Sequence, residues 1–430
     1  MTVMGGVAYG KMPKAPQTAP ETASMNEQKK MKLSVVIPAY NEEDGIANIV
    51  ERVLSVRAAL KEKGIGELEL IVVDDGSKDR TPEIVRSYPD VRLIQHAKNR
   101  NYGGALKTGF HHATGDLLAF LDADGTYPPE YFPRMCEEAL KGADMVVGSR
   151  MSGEKNESPA VRQFGNFMFA QLVSLIGASR VTDVASGMRV FRRDVLARLY
   201  PLPDGLNFTP AMSTRAMHEN IKLTEVPIPH SVRLGHSKLG VLRDGWRFLS
   251  AIVWTALTYN PARILGGIGM VGVLLALIVA GALTVMRANG VTVLGPLGVY
   301  GLHVAVVLAV AGVSLFTLGM TFNYLVSLFH QRTVRQSIFG RPVFSKPLDR
   351  EFWWIGGVGI LLGVVVSLIS LGLSFNGWSI DRLWFWLLGS AMLIVIGVQL
   401  VISWFVMRTL EELSQRAGKT ESDLQGSAIK

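Results

Sequence analysis

Two aspartates separated by one residue, Asp122 and Asp124, carry the clearest chemical signal in the sequence. They follow residues 117–121, an apolar run typical of a buried strand. Two carboxylates in this position can converge on one divalent cation, and oxygen ligands suit Mg²⁺ or Mn²⁺ bound together with substrate phosphates. A capping turn is the alternative reading of such a pair. We predict a metal site with Asp122 and Asp124 as ligands, able to neutralise a diphosphate leaving group.

Two further polar segments, PAYNE (residues 38–42) and DDGS (residues 74–77), follow apolar runs. An aspartate there can accept a hydrogen bond from a base N–H, and Tyr40 can lie along a nucleoside. The alternative is a pair of tight turns with capping acids. The absence of G-x-G-x-x-G after the first run argues against a nicotinamide dinucleotide site, and the absence of a G-x-x-x-x-G-K-[ST] stretch argues against a P-loop nucleotidase. These segments therefore favour a nucleotide site of another kind.

The elements that must position these residues alternate between strand and helix. Strands are predicted at residues 33–38, 68–73, 91–95, 116–121 and 144–148, and a helix at residues 42–61. Such alternation is typical of an α/β, Rossmann-like domain with a mostly parallel sheet. Ligands of these sheets bind at the carboxyl ends of the strands. The loops after the first, second and fourth strands are therefore the expected site.

Four long apolar runs follow residue 260 in this chain of 430 residues: 264–286, 299–326, 354–375 and 383–406. Each is long enough to cross a bilayer and has no charged residue in its interior. Residues 329–352 between the second and third runs carry four arginines and one lysine. The positive-inside rule places this loop, the N-terminal domain and the C-terminal tail in the cytoplasm. The sequence therefore predicts a multi-pass protein of the cell (inner) membrane.

The predicted organisation has five parts. They are a disordered tail (1–30), the α/β domain (31–238), an amphipathic helix (239–260), the transmembrane region (261–407) and a cytoplasmic tail (408–430). In the amphipathic segment, Trp246, Leu249 and Val253 recur at helical spacing, which is typical of a helix lying on a membrane surface. Packing of that helix on the α/β domain is the alternative.

Four stretches, VVIPAYNEE, VVDDGS, DADGTYPPE and VVGSR, in this order and spacing, resemble the inverting family-2 glycosyltransferases with the GT-A fold. They are most similar to the polyprenyl-phosphate sugar synthases, the group that includes dolichol-phosphate mannosyltransferase. The resemblance covers residues 32–238 and implies a UDP- or GDP-linked sugar donor, Mg²⁺ or Mn²⁺, and inversion at the anomeric carbon. It implies nucleotide-binding roles for Pro38, Tyr40, Glu42, Asp74, Asp75 and Asp122, and catalytic roles for Asp122, Asp124 and Arg150.

The same resemblance extends to the acceptor side. DVASGMR (residues 183–189) is similar to the group's D-x-x-S-G-x-R stretch, and RLGHSK (residues 233–238) to its R-x-G-x-S-K stretch. It implies that a polyprenyl phosphate is held by Arg150, Arg162, Ser186, Arg189, Arg233, Ser237 and Lys238. A phosphate monoester is largely dianionic at neutral pH and needs no general base to attack. One departure is Thr126, where the mannosyltransferase pattern often has glutamine, so mannose specificity does not follow.

Other classes fit the sequence less well. A polysaccharide or glycolipid synthase with a hydroxyl acceptor would carry Q-x-x-R-W and T-E-D motifs, which are absent. A non-catalytic sugar-nucleotide scaffold would not require the paired aspartates. The net charge is +8, and many of the basic residues flank the apolar runs rather than forming one dense tract, which favours membrane contact over nucleic acid binding. The single cysteine, Cys136, is read as a core residue, and the spans could also support contacts in a homo-oligomer.

Overall fold

The fold is described from a computed structural model over residues 31–152, 157, 159–177, 180–219, 221–231, 240–291, 295–330 and 348–424. Residues 1–30, for which a disordered tail is predicted, lie outside the described part of the chain.

One seven-stranded sheet forms the centre of the N-terminal region. Its strands are β1 (Met31–Ala39), β2 (Ile65–Asp74), β3 (Val91–Gln95), β4 (Leu117–Leu121), β5 (Met145–Ser149), β6 (Met188–Arg192) and β7 (Leu223–Pro227). They lie in the order β3-β2-β1-β4-β6-β5-β7, and all pairs are parallel except those that β6 makes with β4 and β5. The predicted α/β domain of the GT-A type, with a mostly parallel sheet, is confirmed. Strands β6 and β7 were not predicted.

Helices cover both faces of this sheet. They are α1 (Ile46–Ser55), α2 (Arg57–Glu62), α3 (Thr81–Arg86), α4 (Asn101–His112), α5 (Phe132–Leu140), α6 (Ala160–Ile176), α7 (Val195–Leu199) and α8 (Phe208–His218). Successive residues of a strand point to opposite faces. Accordingly, Ile37 packs in one apolar cluster with Phe132, whereas Val36 packs in the other with Phe208. The buried sheet is a rigid base for the loops at its carboxyl edge.

The helix predicted at residues 42–61 is shorter and divided. Residues 43–45 form a turn before the helix, and the backbone N–H groups of Glu42 and Glu43 donate to Thr81 Oγ1 (2.9 Å) and Asp79 Oδ2 (3.1 Å), which lie before and at the start of α3. Helix α1 then buries the predicted apolar face, and the chain turns at Val56 before α2.

Four long apolar helices follow the sheet domain: α10 (Pro261–Ala288), α11 (Pro296–His330), α12 (Phe352–Phe375) and α13 (Ile380–Leu424). All four are long and apolar enough to cross a membrane, which confirms the predicted C-terminal four-helix region. Glycines bring the α12–α13 pair together: a Cβ added at Gly356 would lie 2.6 Å from Gly397 O, and one added at Gly363 would lie 2.6 Å from Ile394 Cγ1. Most of the basic loop, residues 331–347, lies outside the described part of the chain.

Helix α9 (Val241–Leu257) occupies most of the predicted amphipathic segment. Its Ile252 and Ala256 pack against α6, so the helix does contact the sheet domain. On α9, Trp246 and Trp254 nevertheless remain 71% and 67% exposed. Helix α6 also has an exposed apolar side, which the sequence analysis missed. It consists of Val161, Phe164, Phe167, Met168 and Leu175.

Candidate active site

The loops that follow β1 and β2 are bound to each other at the carboxyl edge of the sheet. Asn41 N–H donates to Ser77 Oγ (2.9 Å), and Lys78 N–H donates to Asn41 Oδ1 (2.8 Å). The φ of Asn41 is 48°, a left-handed conformation that asparagine tolerates better than most residues. Asp75 N–H also donates to Ala39 O (2.8 Å). The two segments predicted to bind a nucleotide therefore form one connected surface.

The adjacent acids of the DDGS segment have different environments. Asp74 accepts hydrogen bonds on both oxygens, from Ser77 N–H (3.1 Å) and from Gln95 Nε2 (3.2 Å), so its side chain supports the turn. Asp75 accepts from His96 Nδ1 and from Arg100 N–H, both at 2.7 Å and both on Oδ1. Of the two aspartates, Asp75 is the one with an oxygen left for a ligand.

The paired aspartates lie where β4 ends, two strands away from Asp75 in the sheet. Tyr102 donates its hydroxyl to Asp122 Oδ1 (2.7 Å), and Thr126 donates its backbone N–H (3.1 Å) and its hydroxyl (2.7 Å) to Asp124 Oδ1. Burial, together with the Asp122 carboxylate, raises the pKa of Tyr102 well above its usual value, so this phenol remains a donor. Thr126, the departure from the family pattern, thus orients Asp124.

Strand β6 contributes to the same edge because it runs antiparallel to its neighbours and begins there. Gly187, just before β6, approaches Asp122 so closely that an added Cβ would lie 2.0 Å from Asp122 Oδ2. Its N–H donates to the Tyr127 hydroxyl oxygen (2.8 Å), and Tyr127 is itself buried. Asp122 is therefore confined between Tyr102 and the backbone at Gly187.

The donor set at Asp122 and Asp124 fits a hard divalent cation, because it consists of carboxylate oxygens whose orientation is fixed by neighbouring hydroxyl groups. Over the described residues, no group of three or more His, Cys, Asp or Glu side chains is arranged to hold a metal ion.

Arg150, which follows β5, forms a two-bond fork with Asp183. Its Nε and one terminal nitrogen donate to the two carboxylate oxygens at 2.7 Å, and its backbone N–H donates to Oδ2 at 3.1 Å. Burial alone would raise the pKa of Asp183, but the Arg150 guanidinium and its hydrogen bonds hold that pKa below its usual value. The guanidinium also lies 5.7 Å from the centre of the Tyr127 ring. Arg150 is thus a fixed cation at the edge of the site.

Ser186 and Arg189 do not face the open edge, which differs from the expectation that they hold an acceptor phosphate. Both side chains are fully buried. Ser186 donates to Gly148 O (2.6 Å), and Arg189 donates to Val184 O (2.8 Å) and Thr209 O (3.3 Å). These hydrogen bonds hold the loop before β6 in place.

Some of the remaining predicted residues lie near the site edge, and others lie outside the described part of the chain. Pro38, Tyr40 and Glu42 are half-buried at the end of β1, and Arg162 is half-buried in the first turn of α6. The predicted acceptor ligands of the R-x-G-x-S-K stretch, Arg233, Ser237 and Lys238, lie outside the described residues.

His230 was not predicted from the sequence to lie at the site. Its ring lies edge-on to Tyr127, with centroids 5.3 Å apart. Burial, and next the positive charge of Arg150, lower the pKa of His230 to about 4, so the imidazole is neutral at pH 7. Its position three residues before the R-x-G-x-S-K stretch was the available signal.

Comparison with known proteins adds two family matches. Residues 34–200 match the model "Glycosyl transferase family 2", and residues 261–421 match "Domain of unknown function (DUF8752)". Solved structures of glucosyl-3-phosphoglycerate synthase from Mycobacterium tuberculosis, one of them with Mn²⁺, UDP and phosphoglyceric acid, are 20% identical, with a TM-score of 0.42 over 53% of this chain and 78% of that chain.

Curated relatives are more similar in sequence. "Low-salt glycan biosynthesis hexosyltransferase Agl6" from Haloferax volcanii is 35% identical over 58% of this chain, and the match spans 59% of that protein. "Undecaprenyl-phosphate 4-deoxy-4-formamido-L-arabinose transferase" from Edwardsiella ictaluri is 31% identical, over 59% of this chain and 77% of that protein. The protein of the same name from Pectobacterium carotovorum is 33% identical, over 58% of this chain and 76% of that protein. The two undecaprenyl-phosphate transferases are matched over three quarters of their length, and the family model is matched across the site. The chain therefore belongs to glycosyl transferase family 2.

Proposed function

We propose that this chain is a membrane-bound, metal-dependent hexosyltransferase. It transfers a sugar from a nucleotide-diphosphate sugar to a polyprenyl phosphate at the cytoplasmic face of the membrane, with inversion at the anomeric carbon. The observation that carries the proposal is the placement of Asp122 and Asp124 at the end of β4, between Asp75 on one side and Arg150 on the other. The names of the undecaprenyl-phosphate transferase relatives support the acceptor class.

The donor nucleotide occupies the β1 and β2 loops. Asp75 accepts a base N–H, and the connected backbone of residues 38–42 and 74–77 forms the surface beneath the nucleoside. From there the diphosphate extends toward β4, because β1 is the only strand between β2 and β4 in the sheet. This order supports a position of the bond to be broken near Asp122 and Asp124.

Asp122 and Asp124 would hold Mg²⁺ or Mn²⁺. When bound, the cation neutralises the negative charge that develops on the leaving diphosphate. The protein's own part is to fix the two carboxylates before substrate binds. Tyr102 and Gly187 confine Asp122, and Thr126 orients Asp124.

The acceptor phosphate would approach from the β5 side, toward Arg150. A fixed guanidinium favours the binding of a phosphate dianion, and it offsets part of the repulsion between this anion and the donor diphosphate. His230 is neutral at pH 7 and adds no charge to that of Arg150. Because the phosphate is already ionised at neutral pH, the reaction needs no general base.

The activity test uses the full chain purified in detergent. A panel of UDP-, GDP- and dTDP-sugars is incubated with short-chain polyprenyl phosphate and Mn²⁺, and the lipid fraction is analysed by mass spectrometry. A polyprenyl-phosphate sugar is the expected product. Asp124→Ala is expected to abolish turnover while the protein stays folded, and excess chelator is expected to do the same to the wild type.

The matched control is Asp90→Ala, which removes an exposed carboxylate that pairs with Arg57 outside the site. Its activity should equal that of the wild type. Undiminished turnover of the wild type in excess chelator, or of Asp124→Ala, would remove the metal assignment. A product formed only with hydroxyl acceptors would replace the proposed acceptor class.

A further inference from the structure

The carboxylate of Asp75 has one oxygen that is already fully used. His96 Nδ1 and the backbone N–H of Arg100 both lie 2.7 Å from Oδ1. An ionised carboxylate only accepts, so Nδ1 carries the proton and donates it. Each carboxylate oxygen has about two lone-pair sites, and the two donors fill those of Oδ1.

His96 is itself held in place. Its Nε2 lies 2.9 Å from Thr108 Oγ1 on α4, and Thr108 Oγ1 lies 3.1 Å from Gly104 O of the same helix. The side chains of His96 and Asp75 are only 7% and 4% exposed. This chain of contacts fixes the rotation of the Asp75 carboxylate.

The second oxygen of Asp75 is the one left for a ligand. Among the described residues, the hydrogen bonds to this carboxylate both use Oδ1. Asp75 therefore offers a ligand a single acceptor oxygen.

We propose that His96 is a positioning residue that makes Asp75 select a base with one N–H at its pairing edge, uracil or thymine, over guanine. This inference rests on the proposed function, in which Asp75 receives the base. Uracil and thymine present only N3–H between two carbonyl groups, which matches one free carboxylate oxygen. Guanine presents N1–H and the exocyclic amino group side by side, and these bind a carboxylate through both oxygens.

With Oδ1 filled, one guanine donor loses its partner in a buried site. An unsatisfied donor of this kind weakens binding by about tenfold to a hundredfold. The donor substrate is accordingly a UDP- or dTDP-linked sugar.

The test measures equilibrium binding of UDP and GDP to the full chain by calorimetry, with the same Mn²⁺ concentration for both. The wild type is expected to bind UDP at least tenfold more tightly than GDP. His96→Leu removes the Nδ1 donor and frees a site on Oδ1, so the ratio of the two affinities should fall toward one. His96→Asn keeps an N–H donor near the position of Nδ1 and should retain most of the ratio.

His111→Leu is the matched control, since His111 is an exposed histidine on α4, the helix whose Thr108 contacts His96. It should leave the ratio unchanged. GDP binding to the wild type as tightly as UDP would overturn the base selection without needing any variant. A folded His96→Leu protein with the wild-type ratio would overturn the role of His96. Failure of both nucleotides to bind would instead count against the proposed function itself.

Discussion

At the scale of single residues, the loop between Asp183 and β6 depends on buried charge. Arg189 is fully buried, and its guanidinium donates to three backbone carbonyls, those of Val184, Ser186 and Thr209. Burial lowers the pKa of Arg189 to about 10, so the side chain is still protonated at pH 7. The same loop carries Gly187 against Asp122, so the charge of Arg189 indirectly positions a site carboxylate.

Arg189→Met is expected to lower the free energy of unfolding by roughly 3 kcal/mol, because it leaves buried carbonyl groups without donors. Chemical denaturation of the purified protein measures this change. Arg192→Met is the control, since Arg192 is half-exposed and pairs with exposed Asp194. Its stability should stay within about 0.5 kcal/mol of the wild type. If Arg189→Met had unchanged stability and a raised KM for the lipid acceptor, Arg189 would instead bind the acceptor, as the family resemblance implies.

Part of the site could be predicted from residue types alone. Asp75 and the pair Asp122 and Asp124 follow apolar runs that fold as buried strands, so their position at the sheet edge followed from the pattern. Ser186 and Arg189 also have types that suit phosphate, but whether a side chain is buried depends on contacts distant in sequence. His230 was missed for the same reason, because its neighbours Tyr127 and Arg150 come from other segments.

At the scale of elements, the close contact between α12 and α13 depends on glycines, which have no side chain to keep the two helices apart. Gly356 on α12 faces Gly397 on α13, and a Cβ at either position would lie 2.6 Å from a carbonyl oxygen of the other. Small residues at such interfaces let helix backbones approach closely, and packing is a main source of helix association in lipid.

Gly356→Val is expected to separate α12 from α13 and to lower the thermal unfolding temperature of the detergent-solubilised protein by several degrees, because the nearest contact, Gly397 O, is a backbone atom that cannot move aside. Gly357→Val is the matched control, since a Cβ at the next residue meets nothing within 4 Å. Light scattering during heating measures the unfolding temperature of each variant. Equal unfolding temperatures for the two variants would contradict the interface.

The elements themselves were partly visible in the sequence. Apolar β-branched runs identified β1 to β5, five of the six strands that run in the same direction, because strands of a parallel sheet tend to be apolar on both faces. The antiparallel β6 was read as part of a phosphate-binding motif, since its arginines obscure the strand pattern. The start of the helix predicted at residues 42–61 was placed too early, because the chain there is bound to Asp79 and Thr81 by contacts that the local sequence does not show.

At the scale of the whole molecule, orientation in the membrane is still a prediction from the basic loop. The single cysteine helps to test it. Cys136 is fully buried, and burial raises the pKa of its thiol to about 12, so it should not react with maleimides in the folded protein. Any labelling therefore reports an introduced cysteine.

Ser379→Cys lies in the exposed turn between α12 and α13, and Ser87→Cys lies on the exposed surface of the sheet domain. A membrane-impermeant maleimide added to intact cells is expected to label Ser379→Cys and to leave Ser87→Cys unlabelled until the cells are permeabilised. The wild-type chain should remain unlabelled in both conditions. Labelling of Ser87→Cys but not of Ser379→Cys in intact cells would show that the chain has the opposite orientation.

Only three residues separate α9 from α10, and Asn260 caps the start of α10 by accepting from Arg263 N–H (3.1 Å). In the proposed topology α10 spans the bilayer, and this short junction keeps α9 and the neighbouring α6 at the surface of the lipid. The proposed lipid acceptor then meets the enzyme in two dimensions, so the rate is expected to follow the mole fraction of acceptor in the bilayer or micelle. Diluting the acceptor with inert detergent should therefore slow the enzyme even when the total amount per volume is constant.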